Sequence, residues 1–247
     1  NVFARGGATV FPLYLYPDPD GLALGGREPN LTDVAVQRLT ESLRLAWVAD
    51  GSGNLTTNVG PEDFFFYIYA MVFSPAYRSR YEDALGTDFP HIPLTTNRDL
   101  FRALAELGRT LFAAHSLHRP ALGPYTSSFP VAGTNLVEPR HPLHIRSGEN
   151  DPYTETMATE GRLYINRARA RPPSAGQYFK DVSSEVWEFT VGGYQPAADW
   201  LASRRGQPLG NADLEHVLWL LRAVEVSLGV SAEIDVAIDA HGGWPLT

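Results

Sequence analysis

The sequence predicts an α+β protein with a helical, bundle-like core, some strands and a long irregular insertion. Three observations point there. Apolar residues recur at helical spacing, most clearly at Leu100, Leu104, Leu107 and Leu111. Short aromatic and β-branched runs lie between turn-forming residues. The stretch 120–161 is rich in Pro, Gly, Ser and Thr and keeps neither period, so it reads as a loop or insertion. The length of 247 residues suits one large domain or two small ones, with a sizeable core in either case.

In chain order, Ala8–Tyr16 reads as a strand, with Pro12 marking an edge. Pro17–Pro29 is a Gly/Pro/Asp loop. Thr32 can cap a helix whose apolar face is Val36, Leu39 and Leu43. A second loop spans Gly51–Gly60. Pro61-Glu62-Asp63 then opens a helix: proline suits the first helical position, and two carboxylates suit the positive end of the dipole. Phe64–Phe73 is apolar all round, which predicts a buried helix. Its expected neighbours are the Leu100–Leu111 helix and the Leu214–Leu228 helix, whose apolar faces also need covering. Ser74-Pro75 restarts a helix towards Leu85, and two prolines keep Phe89–Leu94 extended. Thr96–Asp99 offers the cap of the Leu100 helix. Strands are expected at Arg162–Asn166 and Val186–Val191, with a turn at Gly192-Gly193. Pro196 starts a short helix through Trp200-Leu201, Asn211 caps a last long one, and the tail from Ser231 reads as frayed.

Composition narrows the chemistry. Hydrophobic residues make up 44% and charged residues 19%, so the chain as a whole should fold. With no cysteine, it has no disulfide, thiolate metal site or cysteine nucleophile, which suits a reducing cytoplasm. No apolar run is long enough to span a bilayer, and no leader precedes Asn1, so a fragment or processed product is expected. The Asn30-Leu31-Thr32 and Asn54-Leu55-Thr56 sequons are then coincidental.

The net charge of −8 argues against nucleic acid, but the charge is uneven. Residues 101–180 hold ten basic and six acidic side chains, a balance of +4, so the remainder carries −12. Within 161–180 there are five cations, Arg162, Arg167, Arg169, Arg171 and Lys180, and no acid. Such a strip can meet phosphates while the rest of the surface stays acidic, although a solvated loop would look the same.

Catalytic signatures are missing. There is no Asn-Pro-Pro or Asp-Pro-Pro loop for adenine methylation, and Arg171-Pro172-Pro173 lacks the amide or carboxylate that would hold the amino group. Neither a Gly-x-Gly-x-x-Gly turn nor a phosphate loop occurs, nor a Gly-x-Ser-x-Gly elbow. Asp18 and Asp20 lack the nearby lysine of a metal nuclease, because Lys180 is the one lysine. Pro139 and Pro142 break any helix that would put His141 and His144 on one face, which disfavours a shared metal. His115 and His118 read as helix-end histidines and His216 as structural.

Three segments carry a resemblance. They are Pro61–Tyr81, with its Phe64-Phe65-Phe66-Tyr67 core and Ser74-Pro75; Asp88-Phe89-Pro90-His91-Ile92-Pro93-Leu94 with the helix Asp99–His115; and Val186-Trp187-Glu188-Phe189-Thr190-Val191-Gly192-Gly193-Tyr194-Gln195, then Trp200-Leu201 and Arg204-Arg205-Gly206. In this order, over roughly 61–228, the chain resembles the C-terminal specificity (target-recognition) domain of type ISP restriction-modification enzymes and related adenine-specific DNA methyltransferases. The stretch 120–161 has no counterpart in that resemblance. The resemblance implies that 1–247 is one noncatalytic specificity domain of a larger enzyme. Its partners would be double-stranded DNA and an upstream N6-adenine methyltransferase domain. S-adenosylmethionine, ATP and magnesium would then serve the parent enzyme and not this part.

Residue chemistry supplies the candidate contacts, since Arg reads guanine and phosphate while Asn and Gln read adenine. The candidates are Arg162, Asn166, Arg167, Arg169, Arg171, Gln177 and Lys180 in the strip, and Tyr194, Gln195, Arg204 and Arg205 beyond it. Arg167, Arg169 and Arg171 alternate, so a strand would present all three on one face. Trp187 and Tyr194 could equally be core aromatics, and Arg204-Arg205 a charge pair at a helix C-terminus. Two other functions stay open: a scaffold that docks through the aromatic helix on a neighbouring domain, and a hydrolase with dispersed residues.

Overall fold

A computed structural model describes residues 10–16, 26–167 and 176–246. The fold is α+β, and the chain divides into two compact units, 1–112 with 231–247, and 113–230.

In the first unit, β1 (Tyr14–Leu15) pairs antiparallel with β2 (Glu28–Pro29). The strand expected over 8–16 is confined to these two residues within the described part. Thr32 caps α1 (Asp33–Leu43), its hydroxyl accepting from the Ala35 N–H at 3.2 Å, and Leu39 and Leu43 are buried. β3 (Ala46–Trp47) and β4 (Asn58–Val59) pair in parallel. α2 (Pro61–Phe73) begins at proline, as its sequence requires. Asp63, fully buried, accepts from the Gly60 N–H at 2.9 Å and the Gly53 N–H at 2.6 Å. Ser74 caps α3 (Pro75–Arg80), which is followed by α4 (Glu82–Leu85). In α5 (Arg98–His115), Asn97 accepts from the first-turn N–H groups of Asp99 and Leu100.

The aromatic helix α2 buries Phe66, Tyr67, Ala70 and Met71 in this unit, whereas Phe65 is half-buried. Tyr67 stacks on Phe101 at 4.7 Å and donates to the Pro93 carbonyl at 2.6 Å. A Cβ on Gly108 would lie 1.9 Å from the Phe66 carbonyl oxygen, so glycine is what permits this approach of α5 to α2. Phe64, Ile68, Tyr69, Val72 and Phe73, like Phe65, are partly buried, so the helix has one fully buried face and is not buried all round.

The second unit holds α6 (Arg119–Leu122), a three-stranded antiparallel sheet and a hairpin. The sheet runs in the order β5 (Leu143–Ile145), β8 (Arg162–Tyr164) and β9 (Tyr178–Lys180). The hairpin joins β6 (Asn150–Asp151) and β7 (Thr156–Met157). Alternation along β8 covers both sheet faces. Leu163 packs with Phe179, Val182, Leu201, Leu209, Val217 and Leu221, while Tyr164 packs with Ile145, Ala158 and Tyr153. Within 120–161, the stretch read as insertion supplies β5, β6 and β7. β9 was not anticipated from the sequence.

Two expectations are corrected. Val186–Val191 is not a strand: α7 (Ser184–Glu188) occupies it, because the Ser183 hydroxyl caps the Val186 N–H at 3.2 Å. The turn at Gly192-Gly193 does form, with φ of 56° and 82° and Val191 bridged to Tyr194. After α8 (Pro196–Ala202), α9 (Asn211–Ala240) runs on through the tail read as frayed. In the first unit Ile234 and Ile238 are fully buried there, and Asp235 accepts from Ser74 and from the Ala76 N–H at 3.0 Å. Val217, Leu218 and Leu221 lie in the sheet-covered core of the second unit, with Leu214 packed against it; in the first unit α5 meets α2 through the Tyr67–Phe101 stack. Among the described residues, no helix is long and apolar enough to cross a membrane.

Candidate nucleic-acid interface

One segment, Leu136–His141, organises the cationic part of the second unit. On one side Glu138 donates its N–H to the Ile165 carbonyl at 2.9 Å, and its carboxylate accepts from the Arg167 N–H at 3.0 Å. On the other, Val137 exchanges backbone hydrogen bonds with Gln207 and Gly206, at 3.1 and 2.8 Å. Arg205 Nε donates to the His141 carbonyl at 2.8 Å. The end of β8 and the Arg204–Leu209 loop, some forty residues apart in sequence, are thereby stitched to one strip of backbone.

Beside this segment lies a cleft of about 510 Å³. Leu136, Glu138, Pro139, Arg140, His141, Tyr153 and Arg167 line it. Arg140 and Arg167 are exposed, and the Arg167 guanidinium lies 5.8 Å from the Tyr153 ring centroid. His141 is buried, with Nε2 2.8 Å from the Tyr153 hydroxyl and Nδ1 3.7 Å from Glu138. Burial lowers the His141 pKa, and the Glu138 charge opposes this. The cleft thus combines apolar walls, an aromatic ring, two exposed cations and one held carboxylate.

The acid-free window 161–180 does not behave as one strip. Arg162 is nearly buried and donates to Asp151 at 2.9 Å and to Glu160 at 2.8 Å. Asp151 also accepts from the Tyr164 hydroxyl at 2.7 Å and the Tyr153 N–H at 2.9 Å. Burial raises the Asp151 pKa, but the hydrogen bonds from Tyr164, Tyr153 and Arg162 outweigh it, and the net shift is downward. Arg162 is therefore occupied within the fold. Asn166 and Gln177 are buried and bonded to each other: the Asn166 amide donates to Gln177 Oε1, and the Gln177 N–H donates to Asn166 Oδ1, both at 2.9 Å. The Gln177 amide also donates to Asn135 at 2.7 Å and to the Val131 carbonyl. These amides close the end of the β8–β9 ladder instead of facing solvent, so the adenine contacts expected of them are not available in this arrangement. Lys180 is half-exposed, 3.9 Å from Asp181. Arg167 follows the strand and does not belong to it. Arg169 and Arg171, Pro172-Pro173, and also Asp18 and Asp20, lie outside the described residues.

Beyond the window, Tyr194 is exposed on its glycine turn, and Trp187 stacks on His144 while packing against the core. Gln195 precedes α8: the Asp199 carboxylate accepts from its N–H at 2.8 Å, and its side-chain amide donates to the Trp187 carbonyl. Arg204 lies over Trp200 at 4.7 Å and 3.9 Å from Asp213. Arg140, Glu138 and Tyr153 escaped the sequence reading, because they sit in the stretch taken as loop and only tertiary pairing brings them to Arg167 and Arg205. Among the described residues, no three His, Asp or Glu side chains are grouped to hold a metal ion.

The description "Type ISP C-terminal specificity domain" belongs to the family model that matches residues 1–217, and the chain belongs to that family. The match runs through 120–161 and starts well before Pro61. Two solved structures are similar in fold. The cryoEM structure of a DrdV–DNA complex aligns with a TM-score of 0.56 at 20% identity, over 90% of this chain and 21% of that one. The ATP-dependent type ISP restriction-modification enzyme LlaBIII bound to DNA aligns with a TM-score of 0.52 at 15% identity, over 96% of this chain and 14% of that one. The chain spans about a fifth or less of the length of these similar proteins. No curated protein matches it by sequence.

Proposed function

We propose that this chain reads a specific sequence in double-stranded DNA on behalf of a larger restriction-modification enzyme, and that the second unit carries the reading surface. The observation that carries this is the gathering of Arg140, Arg167 and Arg205 on the Leu136–His141 segment. The chain as a whole bears −8, so DNA is repelled from most of it and needs a local cationic approach. Membership of the specificity-domain family supports the reading, and DrdV and LlaBIII were each solved with DNA. Arg169 and Arg171 would extend this surface, with Lys180, Tyr194 and Arg204 at its margins. In the parent, an upstream N6-adenine methyltransferase with S-adenosylmethionine would modify the site, ATP and magnesium would serve cleavage and translocation, and the cytoplasm would be the compartment.

The test is a fluorescence titration of the purified chain with a duplex at several salt concentrations. Affinity is expected to fall linearly in log–log form, with a slope of about −0.9 per phosphate contact. Absence of duplex binding at low salt would overturn the proposal. A second expectation is that the chain alone does not bind S-adenosylmethionine, and saturable heat of binding in calorimetry would contradict it.

A further inference from the structure

Building on the DNA-reading function proposed above, we infer that Arg205 determines specificity at one position of the site, where it reads a guanine by the O6 and N7 atoms of its major-groove edge. What singles it out is how its guanidinium is held. Its Nε donates to the His141 carbonyl at 2.8 Å, and His141 is a buried residue. Among the described residues, its two terminal nitrogens have no hydrogen-bond or ion-pair partner, and the residue is exposed. The backbone around it is fixed as well. The Arg205 N–H donates to the Ala202 carbonyl at 3.3 Å, the Gly206 N–H to the Val137 carbonyl at 2.8 Å, and the Val137 N–H to the Gln207 carbonyl at 3.1 Å. Gly206 makes this turn at a φ of 80°, which glycine adopts without strain.

A guanidinium is planar. One bond at Nε and a fixed backbone at the other end of the stem therefore set the direction of the N–H groups on its terminal nitrogens. That pair of donors matches the two adjacent acceptors of guanine, O6 and N7, whereas adenine sets a donor beside its N7 and neither pyrimidine offers two adjacent acceptors. A fork oriented before binding loses little rotamer freedom on meeting the base. The other arginines nearby lack this combination. Arg204 lies over Trp200 and 3.9 Å from Asp213. Arg140 and Arg167 are exposed, and among the described residues neither guanidinium is hydrogen-bonded within the chain. An unanchored cation suits a phosphate, which positions the duplex without reporting its sequence. The anchored one suits a base edge, where direction decides.

The experiment selects duplexes from a randomised library with the wild-type chain, with Arg205→Ala and with Arg205→Met. Each guanine of the wild-type site is then replaced in turn by the analogue that carries C–H in place of N7 and still pairs with cytosine. Arg205→Met keeps an unbranched stem without donors, so it remains informative if the alanine variant fails to fold. Wild type should require guanine at one position, and both variants should lose about 5- to 150-fold discrimination there, with the salt slope unchanged. The analogue at that position should weaken wild type by up to the same factor and leave both variants indifferent. Identical selected sites for wild type and Arg205→Met would overturn the inference, as would an analogue scan without effect on wild type. Uniform weakening on every duplex would also overturn it, marking a phosphate contact where the salt slope falls by about one and a structural role where it does not. If wild type selects no duplex, the DNA-reading function itself fails, and that result is distinct from every outcome at Arg205.

Discussion

Some arginines of the second unit do different work from those of the first. In the first unit Arg27, Arg98, Arg102 and Arg109 close the fold. Arg98 donates to the Leu43 carbonyl and, at 2.6 Å, to the Arg44 carbonyl, so it caps the C-terminus of α1. Arg102 donates to the Leu55 carbonyl at 3.0 Å. Arg109 lies over the Phe66 ring at 4.3 Å and reaches Ser52 and Asp63. Arg27 sits 3.8 Å over the Tyr14 ring and pairs with Asp50 at 2.8 Å. In the second unit, Arg140 and Arg167 line an open cleft, and Arg205 gives its Nε to a backbone carbonyl while its residue stays exposed. A count of charge along the sequence cannot separate these roles. What separates them is how far each guanidinium is taken up by carbonyls or carboxylates of its own chain: Arg205 gives its Nε to one while its residue stays exposed, and Arg162 shows that the distinction cuts across the units.

The largest effect is expected where an arginine is most deeply engaged. Arg162→Ala leaves Asp151 buried without its cation and should cost about 3–5 kcal/mol in urea unfolding. The sign with pH follows from the lowered pKa of Asp151. Its contribution is fully present above the unfolded value of about 3.9 and is lost as pH falls through the folded value. Asp151→Asn should therefore flatten the acid limb of the stability curve. An unchanged unfolding midpoint for Arg162→Ala would return this residue to the reading surface.

Phe66→Ala tests the platform beneath a unit-one arginine. The ring is buried, at 8% exposure, and supports Arg109, so the cost should be about 3 kcal/mol. Phe65 is half-buried against Phe112 and Tyr69, and Phe65→Ala should cost clearly less. Equal thermal shifts would contradict the orientation of α2. Arg98→Ala removes two bonds to helix-end carbonyls near the surface and should cost about 1 kcal/mol, with no change in duplex affinity.

What the sequence disclosed was what short-range chemistry decides. Thr32, Pro61 and Ser74 mark helix starts because a cap or a proline acts within three residues. Val186–Val191 misled because its apolar pattern suits a strand, while one hydroxyl, Ser183, tips the segment to helix. The tail after Ser231 seemed frayed because the partners of Asp235, Ser74 and Ala76, lie far away in sequence. The proposed reading surface was obscured in the same way. The window 161–180 lacks acids in sequence but not in space, since Asp151 and Glu160 stand beside Arg162. Arg140 carried no signal at all, because its place beside Arg167 depends on Glu138 pairing with the strand end at Ile165.

The smallest effect on stability, and the most telling one, belongs to Arg140, Arg167 and Arg205. Arg140 and Arg167 are exposed, and exposed charges add little to folding, so their alanine variants should melt within about 0.5 kcal/mol of wild type. Arg205 should lose slightly more, because its Nε bond to the His141 carbonyl goes with it. Binding should separate from stability. Each arginine that neutralises one phosphate releases counterions, so Arg140→Ala and Arg167→Ala should each reduce the salt slope by about one on every duplex alike. Arg205→Ala, which removes a guanine contact, should instead cost about 1–3 kcal/mol at one position and relax selection there. Arg98→Ala is the matched control: it removes the same charge from the first unit and should leave the slope where it was. If Arg98→Ala and Arg167→Ala change the slope equally, the two units share the DNA and the division of labour drawn here fails. If neither does, the surface lies elsewhere, with the exposed Tyr194 turn as the next segment to vary.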